Sequence, residues 1–125
     1  MMQKLFLTLG SIAMALAVAL GAFGAHALKS KLTQDMLDIF ETGIQYHFYH
    51  AIGLLIIGLV AQYLPESALL KWSGWLMVFG ILIFSGSLYL LATSGIRWLG
   101  AITPVGGLCF IASWILLALA VWKGL

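Results

Sequence analysis

Four stretches of the chain hold almost nothing but apolar residues: Leu5–Leu28, Ile44–Leu64, Trp72–Thr93 and Leu99–Trp122. No Lys, Arg, Asp or Glu falls inside any of them. A bilayer core about 30 Å thick takes roughly 20 apolar residues of helix to cross, which is about the length of each stretch. The pattern predicts an all-α fold, a membrane-spanning four-helix bundle forming one domain over residues 1–125. The segment between the first two spans is patterned differently. Leu32, Met36, Phe40 and Ile44 recur every four residues, with Asp35, Asp38, Glu41 and Gln45 between them. This predicts a short amphipathic helix lying along the membrane interface. Thr33 reads as its N-cap, Asp35 suits its N-terminus, and Gly43 reads as the break before the second span.

Small residues mark where helices can meet. Ala13, Ala17, Gly21 and Ala25 recur every four residues on the first span, with Gly24 beside them. Such a ridge lets another backbone approach closely, which membrane helices need because burial alone does not hold them together. Ala17, Gly21, Gly24, Gly86, Gly106 and Gly107 are the expected helix-packing residues. Self-association through the first-span ridge is the alternative use of it. Ser85 and Ser87 lie inside the third span, where hydroxyls bond a backbone carbonyl or a neighbouring helix. Thr103-Pro104 reads as a cap with a first-turn proline, or as a kink if the fourth helix already starts at Leu99.

Composition removes other classes. The chain is 63% hydrophobic and 8% charged, against roughly 25% charge in soluble domains. A net charge of +2 gives no reason to expect nucleic acid as a partner. The single cysteine, Cys109, sits within the fourth span and reads as a small hydrophobe. Lys4, the following apolar run and Ala25-His26-Ala27 also have the form of a signal peptide with a cleavage site. The run's length suits a membrane span better.

Four antiparallel spans put both termini and the 65–71 link on one side of the membrane. The other side receives His26, Glu41, Gln45, His47 and His50, with Tyr89, Arg97 and Thr103 near in depth. Lys4, Lys71 and Lys123 stand against Lys29, Lys31 and Arg97, so the distribution of positive charge gives no orientation.

Four blocks of sequence resemble the DUF423 family, whose eukaryotic relatives include transmembrane protein 256. They are Gly21-Ala-Phe-Gly-Ala-His26, Thr42-Gly-Ile-Gln-Tyr-His47 with His50, Phe84-Ser-Gly-Ser-Leu-Tyr89, and Ile102-Thr-Pro-Val-Gly-Gly107. The resemblance implies a multi-pass protein of the bacterial inner membrane and favours cytoplasmic termini. It implies no activity, substrate, cofactor or catalytic residue.

Three functions fit these residues. The first is a packing and interaction bundle with a polar, histidine-bearing pocket on one membrane face. His26, His47 and His50 would line it, with Glu41, Gln45, Tyr89 and Thr103 around them. Its partners would be membrane lipid and either a second copy of the chain or another membrane protein. The second is a small metal- or proton-linked binding protein or transporter. His47 and His50 are three apart and share a helix face, and imidazole suits Zn, Cu and Ni or a proton relay. The third is an enzyme acting on lipid or quinone through Ser85, Ser87, His50 and Glu41. No nucleophile elbow accompanies those serines, so neither catalysis nor a cofactor is expected.

Overall fold

The computed structural model describes residues 1–125, all helix and turn. Helix α1 (Met2–Phe23) continues through a π-helical turn, Gly24–Leu28, and α2 follows at Gln34–Val60. The third span joins α3 (Ala68–Gly80), a π-helical turn (Ile81–Ser85) and α4 (Gly86–Ser94). A 3-10 turn, Arg97–Ala101, leads into α5 (Thr103–Gly124). Four helical runs are long and apolar enough to cross a membrane.

Local chemistry fixes the helix ends. The Thr33 hydroxyl accepts the Met36 N–H at 3.3 Å, and the Ser67 hydroxyl accepts the Leu70 N–H at 3.1 Å. Each satisfies one of the orphan donors of a helix start. Gly95, at φ 76°, turns the chain out of α4 in the left-handed region that favours glycine. Pro104 sits in the first turn of α5, where its missing N–H costs nothing. The cap position there is Ile102, not Thr103.

The amphipathic segment is not a separate interfacial helix. It forms the opening turns of α2, which runs without a break from Gln34 to Val60. Gly43 lies inside that helix, at a close contact. A Cβ there would stand 2.8 Å from the Tyr89 ring, and its carbonyl accepts the Ser85 O–H at 2.7 Å. Glycine inside a helix costs about 1 kcal/mol relative to alanine. Here the contact and the hydrogen bond offset that cost.

Packing proceeds by neighbouring pairs: α1 lies on α2, α3 lies on α5, and α2 also meets α3 and α4. The register of α1 on α2 is set by Gly10 against Leu55, Gly21 against Ile44 and Gly24 against Phe40. Ala17 is fully buried on the same side. Much of the small-residue ridge of α1 thus packs the bundle itself. On α5, Gly106 lies against the Phe84 backbone, and on α3, Gly80 lies against the Phe110 ring. Phe6, Leu54, Ile57, Leu70 and Met77 fill the centre towards the chain termini.

Gly107 has only ordinary contact with the Phe84 ring, since a Cβ there would lie 3.9 Å from it. Gly86, expected as a packing residue, faces open space, and a Cβ there would meet nothing within 4 Å. The two kinds of glycine predict opposite responses. Gly106→Ala should lose about 1–3 kcal/mol, because rigid backbone cannot yield to the methyl group. Gly86→Ala should gain up to about 1 kcal/mol. Unfolding in mixed micelles against rising dodecyl sulfate measures both; the reverse order would refute this packing.

Candidate functional site

Helix α2 carries His47 and His50 three residues apart, so both project from one face. Both are buried, at 4% and 5% exposure. His50 Nδ1 lies 2.6 Å from the Tyr46 carbonyl, and the Trp114 Nε1–H donates to His50 Nε2 at 3.1 Å. A carbonyl only accepts and an indole only donates. The ring is therefore neutral with its proton on Nδ1. It also stacks on Phe110, with ring centres 3.4 Å apart and planes within 7°. Both nitrogens are occupied, which leaves His50 no lone pair for a metal. It joins α2 to α5.

His47 differs. Its Nδ1 pairs with the Tyr89 hydroxyl at 2.8 Å. Its Nε2 is buried and has no hydrogen-bond partner. The Ala13 carbonyl of α1 approaches the ring without reaching hydrogen-bond geometry. An unmet buried polar atom costs about 1–3 kcal/mol, so its presence calls for a reason.

The reason lies in its surroundings. His47 lines a cleft of about 330 Å³ between α1 and the third span, with α2 behind it. Phe6 of α1 seats over Gly74 of α3 and meets Trp75 edge-on at 5.8 Å. Away from that contact the two spans diverge, and the cleft fills the gap. Ile12, Leu16 and Leu82 line it and are exposed. Gly86 borders the same space and leaves it unfilled. No Lys, Arg, Asp or Glu lines it.

The remaining expected residues do not join this cleft. His26 is exposed in the π-helical turn after α1, beyond the Gly21–Ile44 contact, while His47 lies on the other side of that contact. Glu41 and Gln45 are exposed and border a separate notch of about 220 Å³ beside Gly21, Gly24 and Phe40. Thr103 lies 2.6 Å from the Ser87 hydroxyl, whose own proton goes to the Phe84 carbonyl at 2.9 Å. The single pocket expected around three histidines is thus divided: only His47 and Tyr89 share the cleft. No three His, Cys, Asp or Glu side chains converge as metal ligands would.

Sequence reasoning missed the reciprocal serine pair. Ser73 Oγ–H donates to the Ser113 carbonyl at 2.7 Å, and Ser113 Oγ–H returns a bond to the Ser73 carbonyl at 2.6 Å. Both serines are fully buried between α3 and α5. A serine at the start of the third apolar stretch and another within the fourth were the only marks in the sequence. The role of Trp114 was missed as well, because its partner His50 lies 64 residues away.

The division between the histidines has a measurable consequence. His50→Phe strips Trp114 of its acceptor and should cost about 1–3 kcal/mol. The double change His47→Phe with Tyr89→Phe removes a bonded pair together with the unmet nitrogen. It should stay within about 1 kcal/mol of the parent. Thermal unfolding in bicelles distinguishes the two, and equal losses would contradict the separate roles.

Comparison with known proteins agrees with the architecture. Residues 20–107 match the family described as protein of unknown function (DUF423). The chain is similar to the UPF0382 membrane protein YwdK of Bacillus subtilis, at 49% identity over 97% of this chain and 98% of that one. It is also similar to the UPF0382 membrane proteins SERP0230 of Staphylococcus epidermidis, at 48% identity, and SH2409 of Staphylococcus haemolyticus, at 46%. Both alignments likewise cover 97% of this chain and 98% of the relative. No solved structure matches the chain. With relatives nearly half identical along almost their whole length, the chain belongs to the DUF423 family of membrane proteins.

Proposed function

We propose that this protein is a non-catalytic binding bundle of the bacterial cell membrane, multi-pass with cytoplasmic termini, that takes a membrane-resident ligand sideways into the cleft beside His47. One observation carries this function: the buried His47 imidazole, one nitrogen of which has no partner, borders an otherwise apolar cleft. Ligand sites combine apolar walls with a few polar groups that orient the guest. The other polar groups are committed to structure. Ser85 and Ser87 spend their protons on the Gly43 and Phe84 carbonyls, which speaks against a serine nucleophile. The apolar core around Phe6, Leu54, Ile57, Leu70 and Met77 fills the half near the termini, which speaks against a polar path through the bundle.

Lateral access can be tested without knowing the ligand. In proteoliposomes, a small membrane-soluble carbene probe such as adamantyl diazirine should label Ile81 behind the cleft mouth as well as Ile111 on the outer face of α5. Gly86→Leu should abolish the Ile81 label and leave the Ile111 label unchanged. Label on Ile111 with none on Ile81 in the parent protein would mean that the cleft is closed to the bilayer.

A further inference from the structure

We infer that the seam between α1 and the third span holds one anionic phospholipid of the leaflet on the terminal side, its phosphate between Lys4 and Lys71 and one acyl chain in the cleft. This inference rests on the lateral binding function proposed above and adds the chemistry of the guest. A second cavity, of about 830 Å³, opens against the Phe6–Trp75 contact at the terminal end of the same helix pair. The cavity and the cleft follow one another along the same helix faces. On α1, Lys4 and Thr8 border the cavity, and Ile12, Leu16 and Leu20 border the cleft. Those five recur every four residues and form one continuous ridge of the helix. On the third span, Lys71 and Trp75 border the cavity, and Val78 and Leu82 border the cleft. Spacings of three and four keep these four on one face as well. A polar chamber thus leads into an apolar groove between one pair of helices.

Charge selects the head. Lys4 and Lys71 stand against one carboxylate, Glu66, in the wall of the cavity, so the wall is net positive and takes a guest that is net negative. Tyr63, Trp72 and Trp122 are exposed around the same end, and aromatic belts of this kind lie at headgroup level. Basic pockets between membrane helices at that level hold anionic heads. Length selects the tail. From Leu9 to Leu20 the cleft follows about 16 Å of helix. Spread along that length, its volume of about 330 Å³ gives a section of about 20 Å², room for one hydrocarbon chain. From Lys4 to Leu20 the seam runs about 24 Å. That is close to one leaflet, half of a bilayer about 40–45 Å thick with its headgroups. A free phosphate would use the cavity alone, whereas the whole seam has the length of a phospholipid. Ile12, Leu16 and Leu82 are exposed at the cleft mouth, so the second chain of the lipid can stay in the bilayer.

Native mass spectrometry tests this on detergent-purified protein, stripped of lipid and titrated with dioleoyl phosphatidylglycerol or dioleoyl phosphatidylcholine. One phosphatidylglycerol should bind per chain, more tightly than phosphatidylcholine, which has the same chains and phosphate but no net charge. Both lysines are exposed, so Lys4→Gln with Lys71→Gln should keep the fold. That pair should weaken phosphatidylglycerol about 30-fold, from about fivefold for each lysine, and erase the preference. Lys4→Arg with Lys71→Arg should retain it. Gly86→Leu, which fills the cleft at a position free of other contacts, should weaken both lipids severalfold and keep the preference. Equal affinity for the two lipids in the parent protein would overturn the assignment. So would phosphatidylglycerol binding that Gly86→Leu leaves unchanged, or inorganic phosphate binding as tightly as the lipid, because the cavity would then hold a phosphate group alone. Those outcomes leave lateral access intact wherever Ile81 is labelled by the carbene probe. Absence of that label removes both proposals.

Discussion

Lipid tails are as apolar as leucine, so a helix in a bilayer gains little by hiding its side chains against another helix. It stays beside its neighbour through close contact and interhelical hydrogen bonds. This constraint runs through the whole molecule. Gly10, Gly24 and Gly106 sit where another residue's side chain or backbone occupies the space a methyl group would need. Where backbones come close, hydroxyls can reach across: Ser73 and Ser113 exchange bonds between α3 and α5, and Ser85 bonds the interior of α2. Membrane hydrogen bonds of this kind contribute about 0.6 kcal/mol on average, so each is modest and their placement matters more than any single one.

Against this background the two neighbouring histidines on α2 have different roles. Tyr46, Trp114 and Phe110 use every face of the His50 ring that could act on a ligand. His47 has one partner and one free nitrogen. A bundle that gained only stability from its polar groups would have matched both rings. The mismatch coincides with the place where α1 and the third span part and where Gly86 fills nothing.

The four spans were legible because bilayer thickness acts on contiguous sequence. A run without charge long enough to cross must be read as a span, whatever it packs against. The N-cap at Thr33 was legible because capping is local. The break at Gly43 was misread because glycine marks helix ends and close contacts alike. Only Tyr89, a residue on another helix, distinguishes the two uses here. The same distance between sequence and space dissolved the three-histidine pocket. A membrane side can be read from topology, but the face of each helix is set by packing. On that face His26 points to the exterior while His47 and His50 turn inward. The reciprocal serines were invisible for a related reason: a hydroxyl signals only that it needs a carbonyl, not whose.

The pairing of the helices has a consequence for how the chain is made. α1 finds its main contact in α2, and α5 finds its own in α3, so each large interface joins spans that follow one another in the chain. Interactions between segments near in sequence are reached early and cost little loop entropy. The first hairpin has its complete interface once Val60 has left the ribosome, before any residue of α5 has emerged. Assembly then reduces to docking two hairpins along α2, where Gly43 receives Tyr89 and Gly53 receives Met77.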